Sequence, residues 1–324
     1  MNASENAAWN DGTVGVAGLG LLGRGIVACL LAHRIPVIAY THAAEEFTEA
    51  QDFISTALEE LITRAGFDES LRGEWQQLYT PVQTPSAFSP CSFVIESIVE
   101  DLEIKTSFYK ELESVLGTEV PIATNTSAIP VSSLQRSCLR PERVLGMHWA
   151  EPAHATRFLE LIRGQATNDR SLQLAAKLAT AVGKDPCIVQ QDLPGFIANR
   201  IGYAMYREAC NLLELGIADA ATIDKSFRNS VGLWAGVCGP LQWIDLTGGP
   251  ALYGKAMSGV LPTLSQTVEI PEPLATRMRD GETGVRNGKG FYEWTPETAK
   301  RLHERYREHV WRMQRVLQAA SESD

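Results

Sequence analysis

Short apolar runs alternate with longer helical patterns through the first half of the chain. Strand-length apolar runs occupy 13–17, 36–40 and 93–96, and apolar residues recur at helical spacing over 21–31 and 101–115. Strands that alternate with helices in this way predict an α/β domain of the Rossmann type, with a mostly parallel, doubly wound sheet. Between the second and third runs, the spacing predicts two helices, at 43–64 and 69–79, that form a helical hairpin over 43–80.

The pattern changes after residue 191 to long helical stretches, the first at 194–215. We therefore expect a first domain over 13–191 and a mainly α-helical C-terminal domain over 192–324. Pro296 suits the first position of a helix, and an apolar stripe follows it, so an extra helix is predicted at 296–320. The polar residues 1–12 are predicted to form a flexible tail.

A glycine motif follows the first predicted strand. Gly18-Leu19-Gly20-Leu21-Leu22-Gly23 matches G-x-G-x-x-G and opens the first helix. Gly18 permits the tight turn, Gly20 lets the backbone approach a pyrophosphate, and Gly23 lets the helix lie close to the sheet. The helix N-terminus then offers free N–H groups to the phosphates, so the motif predicts a dinucleotide site.

The end of the second predicted strand departs from the usual dinucleotide site. An acidic residue commonly stands there and binds the adenosine ribose, but this chain has Tyr40, Thr41 and His42. No arginine follows to favour NADP. NAD is the expected cofactor, NADP remains an alternative, and Thr41 is a candidate for a weak hydrogen bond to the ribose.

Charge and cysteine usage restrict the partners. The chain has 29 basic and 39 acidic residues, a net charge of −10, which argues against a nucleic acid partner. Its six cysteines show no C-x-x-C or metal-ligand spacing, so we expect no metal site but buried free thiols, and a cytoplasmic location. The apolar run 14–31 contains five glycines and Arg24, which disfavours a membrane span.

Polar residues follow two later strands of the sheet. Ser97 and Glu100 stand after the strand at 93–96, and 125–127 (Asn-Thr-Ser) follow another short strand. Ligands bind at the carboxyl ends of strands in open α/β sheets, but such residues also cap helices. Sequence chemistry alone leaves both roles open.

Seven blocks in order resemble the 3-hydroxyacyl-CoA dehydrogenase family across about 13–294. They are VGVAGLGLLGRGI, CSFVIESIVEDLEIK, ATNTSAIPVSSL, RVLGMHWAEP with FLELI, DLPGFIANRI, CGPLQWIDLTG and NGKGFYEW. The resemblance implies an NAD-dependent oxidoreductase of fatty acid metabolism, with a nucleotide-binding domain and a helical domain that makes a homodimer and helps to bind a small-molecule substrate.

The resemblance also assigns roles to individual residues. His148 would be the general base that removes the hydroxyl proton, and Glu160, on the next strand, would fix its tautomer. Ser127 and Asn199 would hold the substrate beside His148. The cofactor would contact Gly18, Leu19, Gly20, Leu22, Gly23, Thr41, Ser97, Glu100, Lys105, Ser127 and Arg286.

The chain departs from the family pattern at three places. Glu151 replaces an asparagine, with His154 and Arg157 as candidates to neutralise it. The hairpin 43–80 carries nine acids against two arginines, which is unfavourable for the phosphates of CoA. The third departure is the additional helix at 296–320, expected to pack on its own subunit or across a dimer.

Three hypotheses follow. The first is a 3-hydroxyacyl-CoA dehydrogenase that oxidises the 3-hydroxyl to a keto group. The second is a dehydrogenase of a free 3-hydroxy acid, such as L-gulonate or a carnitine-like compound, which needs no CoA groove. The third is a non-catalytic, cofactor-binding scaffold; retention of His148, Glu160, Ser127 and Asn199 speaks against it.

Overall fold

A single eight-stranded sheet forms the centre of the N-terminal part. A computed structural model of the chain describes residues 9–321. Within that range the strand order is β3-β2-β1-β4-β5-β6-β7-β8, and every neighbouring pair is parallel except the antiparallel pair β6–β7. The strands are β1 (Val14–Ala17), β2 (Val37–Tyr40), β3 (Tyr79–Val82), β4 (Phe93–Glu96), β5 (Ile122–Thr124), β6 (Val144–Trp149), β7 (Phe158–Ile162) and β8 (Asp185–Val189).

Helices connect these strands and make up the rest of the described chain. The first six are α1 (Leu21–Ala32), α2 (Glu46–Ala65), α3 (Leu71–Glu74), α4 (Leu102–Val115), α5 (Val131–Gln135) and α6 (Asp169–Ala181). The others are α7 (Ala198–Glu214), α8 (Ala220–Asn229), α9 (Val231–Trp234), α10 (Pro240–Leu246), α11 (Gly249–Val260), α12 (Glu272–Arg279) and α13 (Pro296–Ser321). The predicted fold class, a mostly parallel sheet followed by helices, is confirmed.

Local chemistry explains why α4 begins where it does. The carboxylate of Asp101 accepts hydrogen bonds from the backbone N–H groups of Glu103 and Ile104, both at 2.9 Å, and so caps the helix. Phe108 and Leu112 lie on the buried face and pack into a core with residues of β4, β5 and β6. Two of the N–H groups at the start of α4 are therefore satisfied by Asp101. Packing of the buried face holds the helix, and with it the end of the preceding loop, against the sheet.

The second half of the helical hairpin differs from the prediction. The expected helix at 69–79 is only one turn long (α3), continues as a 3-10 helix over Trp75–Leu78, and gives way to β3 at Tyr79. Pro81 lies in β3, an edge strand of the sheet, where a missing N–H does no harm. Strand β8 was also not predicted, because its mixed, partly exposed residues lack an apolar run.

The chain divides into two compact units at Asn199 and Arg200, close to the start of α7 and eight residues after the predicted boundary. In the second unit, helices α7 to α12 contain no buried residue within the described chain. No helix of the described part has the length and apolar character needed to cross a membrane.

Two smaller expectations concern the ends and the thiols. Residues 1–8 of the predicted tail lie outside the described residues, but Trp9 is buried and its ring packs edge-on against Phe93 at 6.2 Å.

All six cysteines are free, yet only Cys29 and Cys91 are fully buried, and Cys187 is exposed. The expectation that all six thiols are buried was therefore too general.

Candidate active site

The glycine motif forms the turn between β1 and α1. Gly18 has φ +95°, and a Cβ there would lie 2.4 Å from the carbonyl oxygen of Ser97. A Cβ on Gly23 would lie 1.9 Å from the carbonyl oxygen of Gly18. Both positions therefore require glycine, one for its backbone conformation and both for close packing.

Gly20 differs from these two glycines because its Cβ would meet nothing within 4 Å. It stands at the N-cap of α1, where no side chain caps the helix and no acidic residue occupies the first turn. Free amide groups and the positive end of the helix dipole thus face open space. This is the cradle that the pyrophosphate of a dinucleotide needs, so the residues fit NAD. Leu19 is buried, and Leu22 is half-buried in the same turn.

Ser97 joins the glycine turn to the end of β5. Its backbone N–H donates to Ala17 at 2.7 Å, and its hydroxyl oxygen accepts from the side-chain amide of Asn125 at 3.0 Å. Asn125 in turn accepts from the backbone N–H of Trp149 at 2.9 Å. The polar residues after β4 and β5 are therefore connected to each other and to the end of β6.

Glu100 organises the loop that carries Ser127. Its Oε1 accepts from the Thr126 hydroxyl at 2.5 Å and from the backbone N–H groups of Ser127 and Ala128 at 3.0 and 3.2 Å. Burial raises the pKa of Glu100, but these hydrogen bonds and the charge of Lys105 outweigh it, and the pKa is lowered. The carboxylate is thus charged when it holds the loop.

Lys105 is fully buried. Its Nζ lies 2.5 Å from Oε1 of Glu96 and 3.5 Å from Oε2 of Glu100. The contact with the cofactor that the resemblance implies for Lys105 stays a prediction. Glu96 also accepts from Thr124 at 2.8 Å, so one buried ion pair ties β4, β5 and α4 together. The sequence placed Glu96 at the carboxyl end of its strand but gave no sign of its pairing with Lys105.

His148 and Glu160 face each other across the antiparallel pair β6–β7, where they are direct partners in the register. Nδ1 of His148 lies 2.8 Å from Oε2 of Glu160. The other oxygen of Glu160 accepts from the backbone N–H groups of Ile197 and Ala198, at 3.1 and 3.0 Å. The predicted hydrogen-bond reach between residues twelve apart is present in the structure.

The charge state of Glu160 decides the tautomer of His148. Burial raises the pKa of Glu160, but hydrogen bonds from His148 and from the N–H groups of Ala198 and Ile197 outweigh it and lower the pKa. An ionised carboxylate only accepts, so the proton on the ring resides on Nδ1. Nε2 is then the acceptor nitrogen, and it accepts a hydrogen bond from the hydroxyl of Ser127 at 3.3 Å.

Further side chains fix this arrangement. The amide of Asn199 donates to the backbone carbonyl of Ser127 at 3.2 Å. The rings of Phe158 and Phe196 both pack on His148, with centroids 5.6 Å away. Phe196 has φ +49°, which is rare for a non-glycine residue and marks a constrained turn before α7. The sequence pointed to His148, Glu160, Ser127 and Asn199 but not to the two phenylalanines, which look like ordinary core residues.

Glu151 is half-buried after β6, and one of the two residues expected to offset its charge interacts with it. Burial raises the pKa of Glu151. Burial also lowers the pKa of His154 to about 4, so this imidazole is neutral near pH 7 and donates to Glu60 at 3.2 Å. Arg157 lies 3.6 Å from Asp185. Charge interactions with His154 and, to a smaller extent, with Arg24, whose guanidinium stacks on Phe53 at 4.7 Å, oppose this effect of burial on Glu151. Of the two residues expected beside Glu151, His154 therefore acts on its pKa and Arg157 does not.

Lys184 supports the same segment and was not predicted. Its buried ammonium donates to the backbone carbonyls of Ala153 and Thr156 and lies 4.9 Å from the ring centre of Trp149. Burial lowers the pKa of Lys184. Nothing in the sequence pattern marks this lysine, because its partners are backbone atoms.

Two further predicted cofactor residues each have surroundings of their own in the described chain. Thr41 is buried at the end of β2, and its hydroxyl donates to Glu46. Arg286 belongs to the second unit, where it is exposed in the turn between Gly284 and Gly288. Their roles toward the cofactor stay predictions.

A dinucleotide cradle on one part of the sheet, with a histidine–carboxylate pair on another, defines the class as an NAD-dependent oxidoreductase. The model of the 3-hydroxyacyl-CoA dehydrogenase NAD-binding domain matches residues 13–193, and that of the C-terminal domain matches 195–294. The chain belongs to the 3-hydroxyacyl-CoA dehydrogenase family, and NAD is its cofactor.

Individual relatives differ in substrate. The chain is 29% identical over 305 residues to a 5-formyl-3-hydroxy-2-methylpyridine 4-carboxylate 5-dehydrogenase of Mesorhizobium japonicum, covering 94% of this chain and 98% of that protein. It is 29% identical to a 3-hydroxyadipyl-CoA dehydrogenase of Escherichia coli over 89% of this chain and 60% of that protein. It is 28% identical to a probable 3-hydroxybutyryl-CoA dehydrogenase of Deinococcus radiodurans over 86% of this chain and 99% of that protein.

The similar solved structures likewise include a dehydrogenase of a free carboxylic acid and a dehydrogenase of a CoA thioester. A crystal structure of a 5-formyl-3-hydroxy-2-methylpyridine 4-carboxylic acid 5-dehydrogenase, described as an NAD+ dependent dismutase, matches with TM-score 0.88 at 28% identity, over 94% of this chain and 98% of that one. A (S)-3-hydroxybutyryl-CoA dehydrogenase from Ralstonia eutropha matches with TM-score 0.73 at 26% identity, over 87% and 99%.

Proposed function

We propose that this protein is an NAD-dependent dehydrogenase of a free, compact carboxylic acid rather than of a CoA thioester. The group oxidised would be a hydroxyl, or a formyl group as its hydrate. The full-length similarity to a dehydrogenase of a pyridine carboxylate carries this proposal.

Helix α13 strengthens the comparison. The family model of the C-terminal domain ends at residue 294, before α13 starts at Pro296. An alignment that omitted α13 would contain at most 295 residues of this chain, but the alignment with the pyridine carboxylate dehydrogenase contains 305. That relative therefore shares at least part of α13, whereas the alignment with the Deinococcus radiodurans thioester enzyme uses 281 residues and almost all of that protein.

The surface of α2 supports the same substrate class. Its exposed charged residues include Glu49, Asp52 and Glu59, with Arg64 as a basic residue of the last turn. Arg72, on α3, is occupied by a two-pronged ion pair with Glu59, at 2.7 and 2.9 Å. Helix α2 thus offers the phosphates of CoA a negative surface, which disfavours their binding.

The contacts of His148 suit removal of a hydroxyl proton. Glu160 keeps the ring proton on Nδ1, so Nε2 is the acceptor nitrogen and now accepts from the Ser127 hydroxyl. A substrate hydroxyl that replaced this hydrogen bond would lie beside Ser127 and could lose its proton to Nε2. Glu160 then stabilises the imidazolium that results. NAD, held at the glycine turn of Gly18 and Gly20, would supply the acceptor for the hydride that the carbon of the same alcohol or hydrate loses. A cofactor-binding scaffold without catalysis would not need this arrangement.

A CoA thioester is the second candidate, supported by the family models and by the relatives of Escherichia coli and Deinococcus radiodurans. Steady-state formation of NADH distinguishes the two. We expect free 3-hydroxy acids and aromatic formyl carboxylates to be oxidised with a kcat/KM about 100-fold above that of 3-hydroxyacyl-CoA thioesters. A preference for thioesters would overturn the substrate proposal but leave the oxidoreductase assignment intact.

The role of His148 is tested in the same assay. His148→Ala should abolish turnover, with a loss of roughly 10³-fold or more, and leave NADH affinity unchanged. His303→Ala, at an exposed position on α13, is the matched control and should keep wild-type rates. Unchanged turnover in His148→Ala would refute the mechanism.

We further propose that the protein is a homodimer formed through its second unit. Large apolar side chains stand exposed along several of its helices and turns, among them Tyr203, Leu233, Leu241, Leu246 and Val268, with exposures from 62% to 94%. Amphipathic helices are stable only when such side chains are covered. A second copy of the same surface would cover them.

A further inference from the structure

The adenosine ribose of NAD lacks its usual carboxylate partner in this chain. In dinucleotide folds, an acidic residue at the end of the second strand accepts hydrogen bonds from the ribose hydroxyls. Here the residue after β2 is Thr41, which has no charge. In the structure a carboxylate is nevertheless present at this point, because Oε2 of Glu46 accepts a hydrogen bond from the Thr41 hydroxyl at 2.5 Å.

This carboxylate is close to the glycine turn. Ala17 and Tyr40 are register partners on β1 and β2, and the backbone N–H of Gly18 donates to the carbonyl of Tyr40 at 2.8 Å. Thr41 is the next residue and is 2% exposed. Glu46, the first residue of α2, thus reaches back to the strand end that borders the phosphate cradle.

The hydrogen bonds of Thr41 show that it is not itself the ribose partner. Its only hydroxyl proton is donated to Glu46, and its oxygen accepts from the backbone N–H of Ala43 at 3.3 Å. Its capacity to donate is therefore used, as is one of its two acceptor lone pairs. Glu46 keeps further acceptor sites, is partly exposed, and pairs with no lysine, arginine or histidine in the described part of the chain.

We propose that Glu46 binds the adenosine ribose hydroxyls of NAD, and that Thr41 positions its carboxylate. The acidic group has moved from the strand end to the first turn of α2, and the threonine hydroxyl fixes it at nearly the same place. A negative charge there repels the 2′-phosphate of NADP, so the same residue sets the preference for NAD.

Binding of NADH and NADPH to the full-length protein, measured by nicotinamide fluorescence, tests the proposal without any substrate. Glu46→Gln should weaken NADH binding at least 10-fold and leave NADPH binding equal or tighter, so that the preference between them falls. Glu45→Gln is the matched control: it removes the same charge one residue earlier, at an exposed position without a side-chain hydrogen bond to the helix, and should leave both affinities unchanged.

Two variants of Thr41 separate positioning from direct binding. Thr41→Val should weaken NADH about 3-fold, less than Glu46→Gln, because the carboxylate remains but loses its anchor. Thr41→Asp combined with Glu46→Gln should restore NADH affinity and the preference over NADPH. NADH affinities in Glu46→Gln within twofold of Glu45→Gln, or no recovery in the folded double variant, would overturn the proposal, whatever the substrate is.

Discussion

Three hydrogen bonds to the carboxylate of Glu160 determine how His148 is presented. One oxygen orients the ring through Nδ1, and the other is held by the first N–H groups at the start of α7. An aspartate at this position would be one methylene shorter and would not span β7 to both partners. The residue thus acts as a positioning group for the histidine and as an anchor for the segment before α7.

Substitution of Glu160 is therefore expected to affect rate and stability together. Glu160→Gln keeps the size of the side chain but removes its charge, so the proton is no longer held on Nδ1. We expect kcat to fall roughly 10³-fold, with little change in NADH affinity. Glu119→Gln, on an exposed carboxylate that pairs with Arg170, should behave as wild type in the same assay.

The effect on stability depends on pH in a defined direction. The folded-state pKa of Glu160 is lowered, so its contribution is present above the unfolded pKa and is lost as the pH falls through the folded pKa. Urea unfolding should show Glu160→Gln to be less stable than wild type by about 1–3 kcal/mol at neutral pH. The difference should shrink near pH 3; a constant difference would contradict this account of the carboxylate.

Among the secondary-structure elements, the start of α1 contains glycines with two different roles: one allows close packing, and the other leaves room for a ligand. Gly23 is required for packing, since a Cβ there would collide with the backbone of Gly18. Gly20 has open space around it and φ −62°, which any residue adopts. A ligand that approaches the backbone closely would explain why glycine stands there.

Gly20→Ala should consequently leave the fold intact but damage cofactor binding. We expect an unchanged melting temperature and at least 10-fold weaker NADH binding, measured by thermal unfolding and nicotinamide fluorescence. Gly73→Ala, at another open glycine in α3, should change neither. Equal NADH affinity in Gly20→Ala would mean that the phosphates do not bind at this helix end.

The pair β6–β7 is the other element that creates the site. It is the antiparallel step in an otherwise parallel described sheet, and it places His148 and Glu160 opposite each other. A parallel neighbour would come from a distant part of the chain and would not fix residues twelve apart. The short connection between β6 and β7 is thus what makes this pairing local and predictable.

In the molecule as a whole, the second unit is the part that leaves many large apolar side chains exposed. Helices α7 to α12 bury none of their residues within the described chain, and the buried residues of α13 are Ala299, Val310 and Trp311. Met313 of α13 packs on Gly236, so α13 does contact the rest of its own unit. Association of two such units would bury the remaining apolar surface.

A charge placed on this surface should dissociate the dimer. Leu241, on α10, is 77% exposed. Leu241→Glu should shift the mass measured by light scattering from dimer toward monomer and lower the melting temperature. Gln173→Glu, at an exposed position of α6 in the first unit, is expected to stay dimeric. A wild-type protein that is monomeric at all concentrations would contradict the proposed assembly.

The sequence by itself determined the fold class and the glycine turn, and it named His148 together with three residues that the structure places near it. Strand-length apolar runs, helical spacing and the G-x-G-x-x-G motif are local signals, since they depend on the periodicity of the backbone and on the conformational freedom of glycine. The order of the seven blocks then fixed the identity of His148, Glu160, Ser127 and Asn199.

Tertiary structure alone decided the contacts between residues distant in the chain. The short strands β3 and β8 carry no strong period because they lie at the edges of the sheet. The Glu96–Lys105 pair, the Lys184 support and the Arg24–Glu151 interaction join residues whose spacing follows no rule. The same holds for Glu46: a sequence shows that the acid after β2 is missing, but only the return of α2 to the strand end shows which carboxylate replaces it.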